Sequence, residues 1–322
     1  MNVDQVAWRS TTTIETARLR ARMLACAREF FSTRSVLEVQ TPALSNAAVS
    51  DVHIESLETT VNAAPRFLRT SPEYPMKRLL ASGFPDIYEI GQVFRDGEIG
   101  KRHQPEFCMV EWYRHGYTLQ SLIDETVLFI REQIDRPGSH LYRKIRAVKQ
   151  HQFDDVLLAT TQVTSESTID DLQRVAGDQA SDTFSDDRDA LLGYLFDTFV
   201  AAKFAPDKLT VVTHYPATQA ALAQLCPDTH RALRFEVFCG SLELANGFLE
   251  LQDVDEQRGR FDQDQDRRYD NQQSVRPIDQ NFLDALSAGL PDCSGVAVGF
   301  DRLVMLASGE QDIRSVVTFA HE

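Results

Sequence analysis

The chain has 322 residues, 43% of them hydrophobic, with a formal charge of −15 and five cysteines. That length allows one large domain or two, and the acidic balance argues against a protein whose main task is gripping a long polyanion. No apolar run approaches a bilayer span, and the N-terminal MNVDQVAWRSTTT has no signal-peptide core, so neither anchor nor leader is expected. Cys26, Cys108, Cys226, Cys239 and Cys293 never form a C-x-x-C pair, which predicts reduced thiols in a cytoplasmic protein, with neither zinc nor a disulfide framework. Charge is also segregated. Lys77, Arg78, Arg95, Lys101, Arg102, His103 and Arg114 lie close in sequence, while acids crowd 178–189 and 250–270, a balance that suits a small anionic ligand such as a nucleotide.

In chain order, Thr12-x-x-Glu15 reads as a capping box opening a helix that carries Ile14, Ala17, Leu24, Ala27 and Phe31 and ends near Arg34. Val36–Val39 is a strand stopped by Thr41-Pro42, and further strands are expected near 52–61, 66–69, 86–94 and 107–114. Ser71-Pro72 enters a helix with Met76, Leu79 and Leu80. Thr118 caps an amphipathic helix through Ile134. Residues 136–190 read as an insertion of short helices and loops, followed by a helix over Asp187–Phe204 and a strand over Leu209–Tyr215. Gly295–Phe300 is a small-residue strand leading into a helix from Asp301. Strands joined by turns rather than regular βαβ crossovers predict an α+β fold, an antiparallel sheet flanked by helices, as one domain over 1–322.

The run Arg234–Glu250 spaces Glu236, Glu243 and Glu250 seven residues apart. Phe235–Phe238 and Ser241–Leu244 read as strands around a Cys239-Gly240 turn, a register that sets Glu236 opposite Glu243. Opposed carboxylates repel, and a divalent cation, magnesium above all, is their natural partner when substrate phosphates share it. A hairpin edge with solvated acids carries the same pattern. Glu250 follows Asn246-Gly247, a turn or bulge signal, so its facing is not readable from alternation. Arg95, at the end of a strand before His103-Gln104-Pro105-Glu106-Phe107, could fork onto a phosphate and a carboxylate or be an ordinary ion-pair residue. Phe107 could stack on a base. Gly299 would let a ligand approach the backbone. Arg302 stands in a helix's first turn, against the dipole, which suggests a compensating anion; a surface arginine near Asp301 reads the same way.

Together these segments resemble the catalytic core of class II aminoacyl-tRNA synthetases, in the lysyl branch. Phe30–Pro42 is similar to motif 1, which in the family builds a homodimer interface; Phe94–Glu111 is similar to motif 2, and Gly295–Leu303 to motif 3. Ser71-Pro72-Glu73 with Lys77-Arg78-Leu79, and Glu243–Phe248, resemble the lysine-activating subgroup. The resemblance implies ATP and Mg2+. Arg95 would bridge the α-phosphate and the amino acid carboxylate, and Arg302 would meet the γ-phosphate. Phe107 would hold adenine, with Asp96, Gly97, Gln104, Glu243, Leu244 and Gly299 lining the ATP site and Glu236 and Glu243 holding the metal. Ser71, Pro72, Glu73, Tyr113, Glu250 and Ala297 would form the amino acid site, Glu250 and Tyr113 holding the distal ammonium.

Three positions depart from the lysyl pattern. Arg95-Asp96-Gly97 replaces Arg-Asn-Glu, which shifts the expected adenine contact toward Glu98; Gln104 replaces asparagine; and Ala297 replaces glycine. About fourteen residues precede the first core helix, so no anticodon-binding domain is expected and tRNA is disfavoured as acceptor. Truncated lysyl cores of this kind, with Glu111-Trp-Tyr-Arg114 and Pro291-Asp-Cys-Ser-Gly295, resemble the elongation factor P lysine ligases. That family activates lysine, preferably (R)-β-lysine, and transfers it to a lysine of elongation factor P; docking that acidic factor would need the Lys77–Arg114 region to face it. A minimal tRNA ligase and a non-catalytic lysine-binding paralogue are the alternatives.

Overall fold

The computed structural model describes residues 8–142 and 144–321. Helix α1 (Ile14–Ser32) is capped by Thr13, whose hydroxyl accepts the Thr16 N–H at 3.1 Å, and not by the Thr12/Glu15 box. Thr11 is tied to the carbonyls of Val317 and Thr318, and the backbone stays extended through Thr13. The helix therefore starts one residue later, and its buried face is Leu19, Met23, Cys26, Ala27, Phe30 and Phe31, with Ile14 left in solvent.

Strands β1 (Leu37–Glu38), β2 (Leu44–Ser45), β3 (Glu58–Val61) and β4 (Ala64–Leu68) precede α2 (Glu73–Ala81). β5 (Ile87–Phe94) and β6 (Glu106–His115) then lead to α3 (Leu119–Ile134), capped by Thr118 as expected. Next come β7 (Ala147–Gln152), the helices α4 (Phe153–Thr161), α5 (Ile169–Ala176), α6 (Asp178–Phe184) and α7 (Arg188–Leu195), and β8 (Lys208–Tyr215). The chain continues through β9 (Ala232–Cys239), β10 (Leu242–Leu249), α8 (Val254–Asp270), α9 (Gln280–Gly289), β11 (Cys293–Gly299) and α10 (Phe300–Ser308).

The main sheet has the order β1-β5-β6-β11-β10-β9-β8-β7, and β2, β4 and β3 form a small second sheet. Its centre is antiparallel as expected, but both edges are not: β1 runs parallel to β5, and β7 parallel to β8. β7 corrects the picture of 136–190 as helices and loops alone. Its AVKQHQ sequence is solvent-exposed almost throughout, so it carries no apolar alternation to reveal it. The helix expected over 187–204 is also broken, α7 giving way to a π turn at Phe196–Val200 and a short 3-10 turn at Ala201–Lys203. Such turns often mark functional walls, and Phe196 and Asp197 here border the large cavity.

One sheet face is closed by α1, α3 and α10 around Phe30, Phe31, Trp112, Phe129, Phe235 and Phe300. On the other face, α4–α7 pack on β8 and β9 through Phe153, Phe196, Tyr215 and Phe238. At its far end α2, α8 and α9 gather Met76, Phe261 and Phe282 beside Ile87 and Tyr113. The gap between these two helical groups is a cavity of about 1510 Å³.

The segment 50–55 beside this cavity is held from α8. Arg268, 0% exposed, donates to the carbonyls of Ser50 (2.9 Å), Asp51 (2.6 Å) and Ile54 (2.9 Å) and to Glu55 Oε1 (2.7 Å). The Glu55 carbonyl in turn accepts the Asp96 N–H, next to Arg95. Truncating one partner of a buried charge pair costs about 3–5 kcal/mol. Arg268→Ala is therefore expected to lower unfolding stability by that order, measured as a fall in the urea midpoint at unchanged slope; an unchanged midpoint would show that water replaces the guanidinium without loss.

Candidate active site

Residues on the cavity face of the sheet form a cross-strand row set by register: Glu89, Glu111, Ala297, Asn246 and Glu236 lie side by side on five adjacent strands. The neighbouring row carries Tyr113, Gly295 and Phe248. Alternation puts Val110, Trp112, Val296 and Val298 into the core behind.

At the α2 end, Ser71 bonds the Glu73 N–H (2.9 Å) and Glu111 Oε2 (3.1 Å), and the Tyr113 hydroxyl donates to Glu111 Oε1 (2.7 Å). One helical turn after Glu73, the Lys77 ammonium lies 2.6 Å from Glu73 Oε1 and 2.5 Å from Glu250 Oε2; Lys77 and Glu250 are each 1% exposed. Ser71, Glu73, Tyr113 and Glu250 are thus brought together as expected. Pro72 is not part of the lining; it is the N-cap position of α2. Tyr113 and Glu250 flank Gly295 without bonding each other, and a Cβ on Gly295 would fall 2.3 Å from Tyr113 Cε1 and 2.5 Å from Glu250 Oε1.

Glu111 and Lys77 are not among the expected site residues, although Glu111's place two residues from Tyr113 on one strand face signals it. Burial pushes Glu111 up to about 8, Glu73 adding to the effect. Burial likewise pushes Glu250 up to about 8, because the attraction of Lys77 offsets it only in part and Glu73 repels. Burial works against the Lys77 ammonium, but Glu250 and Glu73 outweigh it and hold Lys77 above the usual lysine range. Glu73 and Glu250 hold Lys77 charged, and Glu111, tied to Ser71 and Tyr113, adds a third carboxyl beside them, so Glu111 or Glu250 keeps a proton near neutrality. The fully ionised pocket is two negative charges in excess, a match for a ligand with two ammonium groups.

At the opposite end, Arg95 borders the cavity with its guanidinium carbon 5.1 Å from the Phe107 ring centroid and an ion pair to Glu98 at 3.4 Å. Asp96 and Gly97 do not reach the cavity. The Asp96 N–H bonds Glu55, its carboxylate accepts the Gly97 N–H, and the left-handed turn at Gly97 (φ +76°) carries the chain outward. Glu98, where the adenine contact was expected to shift, lines the wall instead. Arg302 donates to the Glu243 carbonyl (2.8 Å) and to His103 Nε2 (2.8 Å). The neighbouring Asp301 turns away to Arg20 and the Cys108 N–H behind the sheet. Accepting from Arg302 requires a neutral His103; burial and the Arg302 charge both hold its pKa below the usual value. Gly299 borders the cavity beside Arg302. Leu244 also borders it, but its side chain belongs to the core on the other face.

The acidic hairpin differs from its expected register. The turn is Gly240-Ser241, Cys239 pairs with Leu242, and Glu243 faces Phe238 while Glu236 faces Asn246. A bulge between Glu243 and Ala245 makes up the difference and returns Asn246 to the cavity face. Glu236 and Glu243 are therefore diagonal neighbours on one face, not a directly opposed pair. Glu236 accepts from Tyr215 Oη (2.7 Å) and pairs with Arg234. Burial pushes it up to about 7, Arg234 pulling down and Glu243 pushing up. An all-oxygen pair of this kind fits a hard cation that completes its shell with ligand oxygens and water. Among the described residues no cluster of three or more His, Cys, Asp or Glu side chains could hold an ion by itself.

The basic stretch 77–114 is not one surface. Lys77 is buried beneath the cavity lining against Glu73 and Glu250, and Arg114 lies behind the sheet with Asp86 (3.0 Å) and Glu125 (3.3 Å). Arg78, Arg95, Arg102 and His103 are the members that line the cavity.

Residues 2–322 match the family model for tRNA synthetases class II (D, K and N). The chain is 40% identical over 324 residues, covering 98% of each chain, to proteins named elongation factor P–(R)-beta-lysine ligase from Salmonella typhi and from Salmonella dublin, and equally to that of Salmonella enteritidis. With its antiparallel core, its arginine-lined pocket and this similarity along almost its whole length, the chain belongs to the class II tRNA synthetase family of the D, K and N type, in the branch of the elongation factor P–(R)-beta-lysine ligases.

Proposed function

We propose that the chain activates lysine, preferentially (R)-β-lysine, with ATP as an aminoacyl-adenylate and transfers it to a lysine side chain of elongation factor P. The observation that carries the substrate assignment is the pocket of Glu73, Glu111 and Glu250 around a single ammonium, two charges short of neutrality. Either lysine isomer supplies two ammonium groups. In the first step the substrate carboxylate attacks the α-phosphorus and pyrophosphate leaves; the nucleophile is already ionised, so positioning and charge neutralisation supply most of the catalysis. Arg95 would bridge the two reacting groups, Arg302 with His103 would take the terminal phosphate, and Phe107 would pack on adenine. Glu236 and Glu243 would hold Mg2+, which when bound neutralises phosphate charge. In the second step the acceptor amine attacks the adenylate carbonyl, an amide forms and AMP leaves.

Ala297 stands between Glu111 and Asn246 in the cross-strand row, so its methyl limits where the substrate backbone can sit. A methyl of this kind is worth about 1–3 kcal/mol of discrimination, and Ala297→Gly is expected to shift preference toward α-lysine by roughly tenfold or more. Equal isomer ratios in both proteins would remove Ala297 from specificity. Leu37 and Leu44 lie exposed near the motif 1 segment, which supports a homodimer through that side. A light-scattering mass near 36 kDa would overturn it. No helix among the described residues is long and apolar enough to cross a membrane, and a cytoplasmic site of action follows from the proposed acceptor.

The pocket carboxyls also predict a pH dependence. Glu111 and Glu250 carry folded-state values near 8 against about 4.3 for an unfolded glutamate. The folded, ligand-free protein therefore binds more protons between those limits, so these groups lower its stability as pH rises through that window. Their ionised forms accept the substrate ammoniums, so kcat/KM for lysine should rise from pH 6 to 8, and protection by lysine against thermal unfolding should grow over the same range. A flat profile would mean that both carboxyls are already ionised in the free enzyme.

The deciding test is intact-mass analysis of elongation factor P incubated with the protein, ATP, magnesium and either lysine isomer, with tRNA in a parallel reaction. A gain of one lysyl unit on the factor supports the proposal. Charged tRNA with unmodified factor would replace it with a minimal tRNA ligase, and ATP turnover independent of amino acid would replace it with a non-catalytic lysine binder.

A further inference from the structure

Gln104 departs from the asparagine of the lysyl pattern, and the fold gives the longer side chain two partners at once. It is 2% exposed; its Oε1 accepts the backbone N–H of His321 at 2.8 Å, and its Nε2 donates to the His103 carbonyl at 3.2 Å. These partners also assign the amide orientation, since an N–H must meet the oxygen and a carbonyl the nitrogen. His103 is the residue whose Nε2 receives Arg302. On the other side of the same loop, the Ile313 N–H donates to the Lys101 carbonyl at 2.8 Å. The segment 310–321 is anchored a third time, where Thr11 just before α1 bonds the carbonyls of Val317 (2.8 Å) and Thr318 (2.9 Å) and the N–H of Ala320 (3.2 Å). Otherwise the loop 96–103 is held by the Asp96 N–H on the Glu55 carbonyl and by Arg102 on the Ser241 carbonyl and hydroxyl. Lys101 and Arg102 are exposed, and the loop's internal bridge is Gly100–His103. Loops with so few internal bonds open at low cost.

We infer that residues 310–321 form a strap that fixes the loop 96–103 over the phosphate end of the cavity, with Gln104 the positioning residue that couples the strap to His103 and Arg302. The inference rests on the nucleotide site proposed above. An asparagine, one methylene shorter, cannot span both partners, so the strap and the glutamine belong together. Released from it, the loop would swing His103 away from Arg302, and the energy of ordering both would be drawn from nucleotide binding.

Calorimetric affinity for a non-hydrolysable ATP analogue with magnesium tests this without requiring turnover. His321→Pro deletes the donating N–H, whereas His321→Ala keeps it. His321→Pro and Gln104→Asn are each expected to weaken the analogue on the order of fivefold, the effect of one neutral hydrogen bond. Lysine affinity and the melting temperature should stay near those of the wild type, and His321→Ala should bind as the wild type does. The double variant Gln104→Asn/His321→Pro should be no weaker than either single variant, because both remove the same bond. Unchanged analogue affinity in His321→Pro, additive losses in the double variant, or parallel losses of lysine affinity and melting temperature would each overturn the strap. Failure of the wild type to modify elongation factor P would instead overturn the proposed function and leave this measurement readable.

Discussion

Glu250→Gln will lower lysine-dependent ATP–pyrophosphate exchange by about 10³-fold in kcat/KM for lysine, with little change in folding stability. Loss of a buried, paired carboxylate costs roughly 3–5 kcal/mol when the partner charge stays behind, and each 1.4 kcal/mol is a factor of ten. In the empty pocket that cost is largely absent. Burial holds protons on Glu111 and Glu250 toward neutrality, and glutamine copies a protonated carboxyl in shape and charge. Lys77 keeps Glu73 as its partner at 2.6 Å. The loss falls on the liganded state, where the substrate brings two further ammonium groups and finds one carboxylate fewer. The rise of kcat/KM between pH 6 and 8 should flatten in the same variant. Exchange within tenfold of the wild type would show that Glu250 balances only Lys77 and does not face the substrate.

Gly295→Ala should cost on the order of 10²-fold in the same parameter, the penalty of displacing a reacting geometry by about an ångström. The added Cβ would overlap Tyr113 Cε1 at 2.3 Å, Glu250 Oε1 at 2.5 Å and Tyr113 Cδ1 at 2.5 Å, all side chains 2% exposed or less. Neither residue has free space to retreat into, because Tyr113 is bonded to Glu111 and Glu250 is held by Lys77. Overpacking of this kind also destabilises by about 1–3 kcal/mol, so melting temperature and activity should fall together. A Cβ on Gly259, in α8, would by contrast meet nothing within 4 Å, so Gly259→Ala serves as the control. A Gly295→Ala protein with normal lysine KM would mean that the Tyr113–Glu250 gap is wider in solution than in the fold described above.

Local chemistry made much of the chain legible in advance. Thr118 has the hydroxyl and position that cap α3, and the apolar spacing after it predicts the face that packs on the sheet. Glu73 and Tyr113 are legible because a helix start and strand alternation are written in neighbouring residues, whereas Glu250, hidden behind Asn246-Gly247, came only from the family resemblance. The misses share a different cause. β7 is a polar edge strand stabilised by hydrogen bonds to β8 and carries no apolar signal. The Glu236/Glu243 register slipped because a bulge at Leu244 depends on how β10 must sit between β9 and β11, not on the residues of the turn. Asp96 and Gly97 left the expected ATP wall because Glu55, some forty residues earlier in the chain, draws the Asp96 backbone away.

The amino acids by themselves determined the class of the fold and the kinds of group that meet at its centre: arginines at one end, carboxylates at the other, glycines where a wall must be thin. Only the tertiary structure decided which carboxylate faces which partner. It brought Glu111 beside Tyr113 and Ser71 in the cavity, placed the Lys77 ammonium between Glu73 and Glu250 and gave Gln104 a distant backbone N–H to hold. Those assignments depend on strand register and on contacts between distant residues, 217 positions apart for Gln104 and His321, and no local periodicity encodes either.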